Sequence, residues 1–325
     1  MNDDVVTLAE GSGGREMHEL IRSYGFSYRG KWKNYDTDAA SFDLDMSRSL
    51  VFTTDSFIVD PIFFPGGDIG HLAFCGTIND LAVLGAQPIG VSLGIVLEEG
   101  FPKKDLKKII STIKRLSGKT KIPVVTGDTK VMQKGTIDKI VINSAGVGLV
   151  KKKEMLIKKI NPGDKIIISG GLGEHAVALL SKRFQYKTTI VSDSKPIFEE
   201  IRSVLPLIKV AKDPTRGGLA SSLHEVAQRY KVGMVLDEER IPVKPGVKKV
   251  SELLGVNVYE LACEGRFVCV ASEKNASRVE KKLQDFNSDA AICGRITKGS
   301  HIIIQSILGT RILPMPSGRI VPRIC

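Results

Sequence analysis

Four aspartates stand at apparent strand or helix edges. They are Asp38 in Asp36-Thr37-Asp38-Ala39-Ala40, Asp55 in Thr53-Thr54-Asp55-Ser56, Asp80 in Thr77-Ile78-Asn79-Asp80-Leu81, and Asp128 in Gly127-Asp128-Thr129-Lys130. Hard divalent cations take carboxylate oxygens, and Mg²⁺ combines about one or two of them with phosphate oxygens. Turn or helix-cap chemistry accounts for any one such aspartate. Four together, two of them beside Thr-Thr or Gly and Thr, point to magnesium and phosphate. Asp80 falls inside a long apolar helical pattern, where a carboxylate is costly unless paired or metal-bound.

Glycines supply a second set. Gly11-Ser12-Gly13-Gly14-Arg15 and Ser169-Gly170-Gly171-Leu172-Gly173-Glu174 both precede helical patterns. Free backbone N–H groups at a helix start suit phosphate oxygens. A plain loop explains either run equally well, and neither closes on the Gly-Lys-Ser/Thr of a Walker loop. Asp213-Pro214-Thr215-Arg216-Gly217-Gly218-Leu219 opens another helix. A cap needs only the acid or the hydroxyl. The added guanidinium and double glycine suit a phosphate contact. Glu264, in Ala262-Cys263-Glu264-Gly265 before a strand, is either a turn residue or an acid/base group.

The last residue is Cys325, one of five cysteines with Cys75, Cys263, Cys269 and Cys293. No two have the C-x-x-C spacing of a zinc or thioredoxin-type site. The other four read as inert core thiols, whereas a chain end is seldom buried. The stretch from Leu313 to Cys325 holds three prolines and reads as an extended arm, long enough at about 3.3 Å per residue to cross a domain.

These residues need a scaffold. Strand-like runs at 49–54, 91–97, 123–126 and 140–150 alternate with helical patterns at 68–85 and 103–116. A second alternating set begins after the turn signal Asn161-Pro162-Gly163-Asp164. The expected architecture is α/β, in an α+β arrangement of two domains. Residues 1–155 form an amino-terminal domain, residues 156–312 a carboxy-terminal domain, and residues 313–325 a mobile tail. The net charge of +11 raises nucleic acid as a ligand. Lys103, Lys104, Lys107 and Lys108, however, flank a helical apolar stripe and read as a solvated face. No apolar run spans a bilayer, and the acidic first ten residues do not resemble a secretory signal. The chain reads as cytoplasmic, with no membrane or nucleic-acid role.

Several runs taken together resemble a known family. They are Thr53-Thr54-Asp55-Ser56-Phe57-Ile58-Val59-Asp60-Pro61, Cys75-Gly76-Thr77-Ile78-Asn79-Asp80-Leu81, Thr126-Gly127-Asp128-Thr129-Lys130-Val131, the 213–219 motif and the closing Pro322-Arg323-Ile324-Cys325. The chain is similar over essentially its whole length to the HypE family of hydrogenase-maturation proteins. That family lies within the superfamily of aminoimidazole ribonucleotide synthetase, selenophosphate synthetase and thiamine-monophosphate kinase.

The resemblance implies ATP and Mg²⁺ bound in a cleft that the amino-terminal domains help form as a homodimer. It implies a carbamoyltransferase partner, HypF, that loads a carbamoyl group on the terminal cysteine. ATP-dependent dehydration to a thiocyanate follows, and the cyano group passes to iron on a HypC–HypD complex. By motif, Asp38, Asp55, Asp80 and Asp128 map to the metal. Gly13, Gly14, Thr54, Gly127, Asp213, Thr215, Arg216, Gly217 and Gly218 map with Asp38, Asp55 and Asp128 to the nucleotide. Cys325, Lys130, Glu264 and Asp80 map to catalysis. Glu264 is the first choice as base and Lys130 assists it, with their order left open. Relatives carry His where this chain has Glu10. If the tail docks near Glu264, Cys263 and Cys325 lie close enough to pair on oxidation. A small-molecule kinase and a nucleotide-gated scaffold are the other readings of the same motifs.

Overall fold

The computed structural model describes residues 15, 16, 19, 32–33, 38–318 and 324. Gly13, Gly14, Glu10 and Cys325 lie outside the described residues.

The first domain runs β1 (Trp32–Lys33), β2 (Ala40–Asp43), β3 (Arg48–Phe57), β4 (Phe63–Phe64), β5 (Gly67–Asp68), α1 (Ile69–Val83), β6 (Gln87–Glu98), α2 (Lys103–Thr120), β7 (Val124–Met132) and β8 (Ile140–Lys151). Its main sheet has the order β1-β2-β3-β8-β6-β7, antiparallel except for the β6–β7 pair. Strand β3 alternates strictly, with Ser49, Val51, Thr53 and Phe57 buried and Phe52, Thr54 and Ser56 exposed. That period of two turns one face toward α1 and leaves the other open.

Helix α1 is buried along nearly its whole length because it lies between two layers. The sheet covers one side through Phe57, Ile95 and Ile142. The second domain covers the other, where Ala82 and Val83 join Ile197, Ile201, Val204 and Ile208 in one apolar cluster. Asp68 caps α1 by accepting from the N–H of His71 at 3.0 Å, and its other oxygen accepts from Thr112 of α2 at 2.6 Å. Helix α2 buries Ile109, Ile113 and Leu116 and turns its lysines to solvent.

The second domain runs β9 (Lys165–Ile168), α3 (Glu174–Arg183), α4 (Phe198–Val204), β10 (Ile208–Lys212), α5 (Gly218–Tyr230), β11 (Gly233–Asp237), α6 (Pro245–Leu254), β12 (Val268–Ala271), α7 (Glu273–Gln284), β13 (Ala291–Thr297), β14 (Ile302–Ser306) and β15 (Gly309–Ile312). Its sheet order is β10-β12-β9-β13-β11-β14-β15, and only β11–β14 is parallel. Both sheets are therefore mainly antiparallel, the α+β form of the expected arrangement. In this domain, strands β10 and β15 and helices α4 and α6 have no counterpart in the elements read from the sequence. Pro245 opens α6, where its missing N–H leaves no helix hydrogen bond unmade.

The described part of the tail is fastened down. The Leu313 N–H donates to Ile302, His224 Nε2 lies 2.9 Å from the Leu313 carbonyl, and the Arg15 N–H donates to the Pro316 carbonyl at 3.1 Å. No helix among the described residues is long and apolar enough to cross a membrane.

Candidate active site

The carboxylates gather where α1, β3 and the second domain meet. Asp38 pairs with Lys212 at the end of β10, and Lys212 also reaches Glu225 of α5 at 2.7 Å. Asp55 faces Arg216 at 3.2 Å. On α1, Asp80 accepts from the Thr53 hydroxyl at 2.8 Å. Burial raises the Asp80 carboxyl well above the usual range, and the like charges of Asp213, Asp55 and Asp38 add to it. Burial and Asp38 push Asp213 up to about 7, against the pull of Lys212. Burial opposes the Lys212 charge, but Asp38, Glu225 and Asp213 outweigh it and hold the ammonium.

Such crowded anionic oxygen is an arrangement that a cation relieves. Among the described residues no three carboxylates, thiols or imidazoles form a ready-made metal cage. Mg²⁺ takes one or two carboxylates together with phosphate oxygens, and carboxylates of this kind suit that role.

The 213–219 motif adds the anion side. Gly217 and Gly218 both take positive φ, at 74° and 58°, and no side chain caps α5. A Cβ on Gly218 would lie 2.7 Å from the carbonyl oxygens of Leu261 and Tyr259. Glycine is required there, and the uncapped first turn leaves N–H groups for phosphate oxygens.

Glu264 is 3% exposed, and its Oε1 has no hydrogen-bond partner. Burial raises its carboxyl well above the usual range, reinforced by Asp213, Asp193 and Asp55 and opposed by Arg216. The charges of Asp213 and Asp55 thus bear on Glu264. The following residue must be glycine, since a Cβ on Gly265 would sit 1.9 Å from the Asp193 carbonyl oxygen. Asp193 accepts from the backbone N–H groups of His175, Glu264 and Gly265 at 3.0, 3.4 and 3.2 Å. Asn79 of α1 donates to the carbonyls of Lys195 and Glu264 and accepts from the Ile197 N–H.

Within one chain, four of the described sequence-predicted residues, Thr54, Gly127, Asp128 and Lys130, do not join this cluster. Asp55 is in register with Ser144, Leu93 and Gly127 across the sheet. Gly127 is three strand spacings away, about 14 Å. Asp128 and Lys130 follow on alternate residues and face the open side of the sheet with Thr54, opposite to Asp55. They form an ion pair at 3.4 Å and are 70% and 71% exposed.

Lys212, His175 and Asp193 are absent from the motifs read in the sequence, and Asn79 appears there only inside a longer run. Their roles come from tertiary contacts between residues far apart in the chain. Cys263 is buried, takes a hydrogen bond from the Gly173 N–H at 3.1 Å, and has its thiol pushed well up by burial. It is unpaired, as are Cys75, Cys269 and Cys293.

Two domains of this kind, meeting at a cluster of carboxylates, define the aminoimidazole ribonucleotide synthetase class. Residues 36–150 match the family described as AIR synthase related protein, N-terminal domain, and residues 161–307 match its C-terminal domain. The chain is 39% identical to the carbamoyl dehydratase HypE of Bradyrhizobium diazoefficiens, covering 98% of this chain and 96% of that one. It is 38% identical to the protein of the same name from Escherichia coli K12, covering 98% and 99%. A crystal structure of a HypE–HypF complex superposes with a TM-score of 0.85 at 36% identity, covering 93% of this chain and 100% of the other. HypE in complex with ATP superposes with a TM-score of 0.82 at 33% identity, covering 99% and 100%. The chain belongs to the HypE family.

Proposed function

We propose that this chain is an ATP-dependent carbamoyl dehydratase that acts on its own C-terminal cysteine. A HypF-type carbamoyltransferase loads Cys325 as the S-carboxamide. The amide oxygen is a poor leaving group until the γ-phosphoryl of ATP is transferred to it. One amide proton leaves as the carbon–nitrogen bond gains double-bond character. Loss of the second proton, with expulsion of phosphate, leaves the S-cyanate. The products are ADP, inorganic phosphate and a thiocyanate, whose cyano group passes to iron on a HypC–HypD complex for the [NiFe]-hydrogenase centre.

Phosphoryl transfer needs mainly positioning and charge neutralisation. Asp38, Asp55, Asp80 and Asp213 are the candidates to hold Mg²⁺, which would neutralise phosphate charge. Arg216 and the Gly217–Gly218 turn take phosphate oxygens. Glu264, whose Oε1 has no hydrogen-bond partner, is the candidate base for the amide protons.

Homodimerisation completes the cleft. Strand β7 is exposed at every residue, including Val125 at 65% and Val131 at 66%. A second copy covers that edge and the open sheet face, and brings Asp128 and Lys130 to the nucleotide. The need for a free terminal thiol suits a reducing cytoplasm.

The observation that carries this reading is the buried Glu264 carboxyl with an unpartnered oxygen beside the aspartate cluster. Intact-protein mass spectrometry with the carbamoyltransferase and ATP tests it. The carbamoylated chain loses the mass of one water, and Cys325→Ala forms neither species. Cyanation on another residue overturns the proposal.

A further inference from the structure

At the tail's far end lies a hydrogen bond that none of the family motifs includes. His175 is fully buried at the start of α3, and its Nε2 lies 2.7 Å from the backbone carbonyl oxygen of Ile324. A carbonyl only accepts, so Nε2 carries the hydrogen. Burial holds the imidazole below its usual range, so the ring is neutral and Nδ1 is bare. The Ser192 hydroxyl, 2.8 Å from Nδ1, is therefore the donor on that side. Ser192 is itself fixed by the Ser194 N–H at 3.1 Å, and Phe64 packs edge-on against the imidazole at 5.3 Å. The ring is held in one tautomer and one orientation, with its N–H aimed at the tail.

The Ile324 side chain adds an apolar anchor. It is buried in the same cluster as Ala176, Val177, Leu261 and Ala262. Ala262 is two residues from Glu264, whose loop Asp193 ties to the N–H of His175. The anchor for the penultimate residue and the loop carrying the base thus share one carboxylate.

We propose that His175 is a positioning residue: its Nε2–H binds the Ile324 carbonyl and seats the tail so that the group carried on Cys325 meets Glu264. This deepens the dehydratase reading and rests on it for its catalytic part. The docking part stands alone. Dehydration and loading place opposite demands on this contact. The docked tail serves dehydration, whereas a carbamoyltransferase must take the tail out. Removing the Nε2 donor therefore impairs dehydration and spares loading.

Two variants test this in the full-length chain. His175→Phe keeps a ring against Phe64 and deletes both nitrogens. His175→Gln restores an N–H donor near Nε2. The first readout is the rate at which iodoacetamide alkylates Cys325, followed by peptide mass spectrometry without ATP. Loss of the donor raises that rate about tenfold in His175→Phe, and His175→Gln returns it most of the way to wild type. The second readout is conversion of pre-loaded S-carboxamide to thiocyanate. It slows by about the same factor in His175→Phe, while loading by the carbamoyltransferase proceeds at the wild-type rate. Wild-type alkylation in His175→Phe, or equal alkylation in both variants, overturns the proposal. A wild-type chain that loads but never loses water overturns the dehydratase reading and leaves the alkylation result to decide docking.

Discussion

Asp193 holds Glu264 by its own backbone: the Glu264 N–H meets Asp193 Oδ1 at 3.4 Å, beside the Gly265 N–H on the other oxygen at 3.2 Å. The carboxylate also receives the His175 N–H and faces the Arg266 guanidinium at 3.8 Å, with no side-chain exposure. Asp193→Asn replaces an acceptor oxygen with a donor against those N–H groups. The expected loss is about 2–3 kcal/mol of unfolding free energy. Dehydration should fall by more than ATP affinity does, because Glu264 moves while Asp55 and Arg216 stay. Denaturant unfolding and nucleotide titration check the two halves. Equal losses in both would mean that Asp193 supports the domain generally.

The aspartate cluster makes the metal-free chain sensitive to pH. Asp213 keeps its proton up to about 7, against an ordinary value of 3.8. Between those values the folded chain binds more protons than the unfolded one, so stability falls as pH rises. The contribution is complete below about pH 4 and is lost as pH rises through about 7. Burial pushes Asp80 and Glu264 in the same direction. Calorimetry in chelator should show Tm declining from about pH 5 to about pH 7.5, with a shallower decline in Asp213→Asn. Identical slopes in the two proteins would remove Asp213 as the cause.

Strand β7 should form a subunit contact. Val131→Asp places a charge on its exposed edge, 66% accessible in the single chain. The expected result is a dimeric wild type and a monomeric variant by light scattering, with the variant's Tm changed by only a few degrees. ATP-dependent dehydration should be lost with the dimer. A monomeric wild type would end the argument for a shared cleft.

At the phosphate turn, Gly218→Ala forces a methyl into 2.7 Å contacts with two carbonyl oxygens at a φ of 58°. Destabilisation of at least about 1–2 kcal/mol is expected, with weaker nucleotide binding. Thermal melts with and without ATP separate these effects. A smaller ligand-induced rise in Tm is the signature of a damaged turn.

Local patterns in the sequence exposed much of this molecule. The alternation of β3, the apolar length of α1 and the stripe of α2 are periodicities, and burial follows them directly. Asp80 stood out because a carboxylate interrupts an apolar helix, and the structure gives it Thr53 as a partner. The division between Asp55 and Asp128 was not legible. Both follow strand-like runs, and only the register across four strands sets them on opposite faces. Lys212 was hidden for a related reason. Its strand is a short run between α4 and the Asp213 motif, and its partners Asp38 and Glu225 come from distant parts of the chain. His175 gave no sign because its meaning depends on a carbonyl 149 positions away in the chain.

Asn79 has a consequence for how anything enters the site. From the first domain it holds three backbone groups of the second, at Lys195, Ile197 and Glu264, beneath the apolar seam of α1. Clamshell opening at that seam would strip a buried amide of all three partners at once. Those three hydrogen bonds tie the two halves together at the seam. Opening that seam therefore breaks more than undocking the penultimate residue does, since Ile324 is held by one hydrogen bond from His175 and by its own apolar side chain.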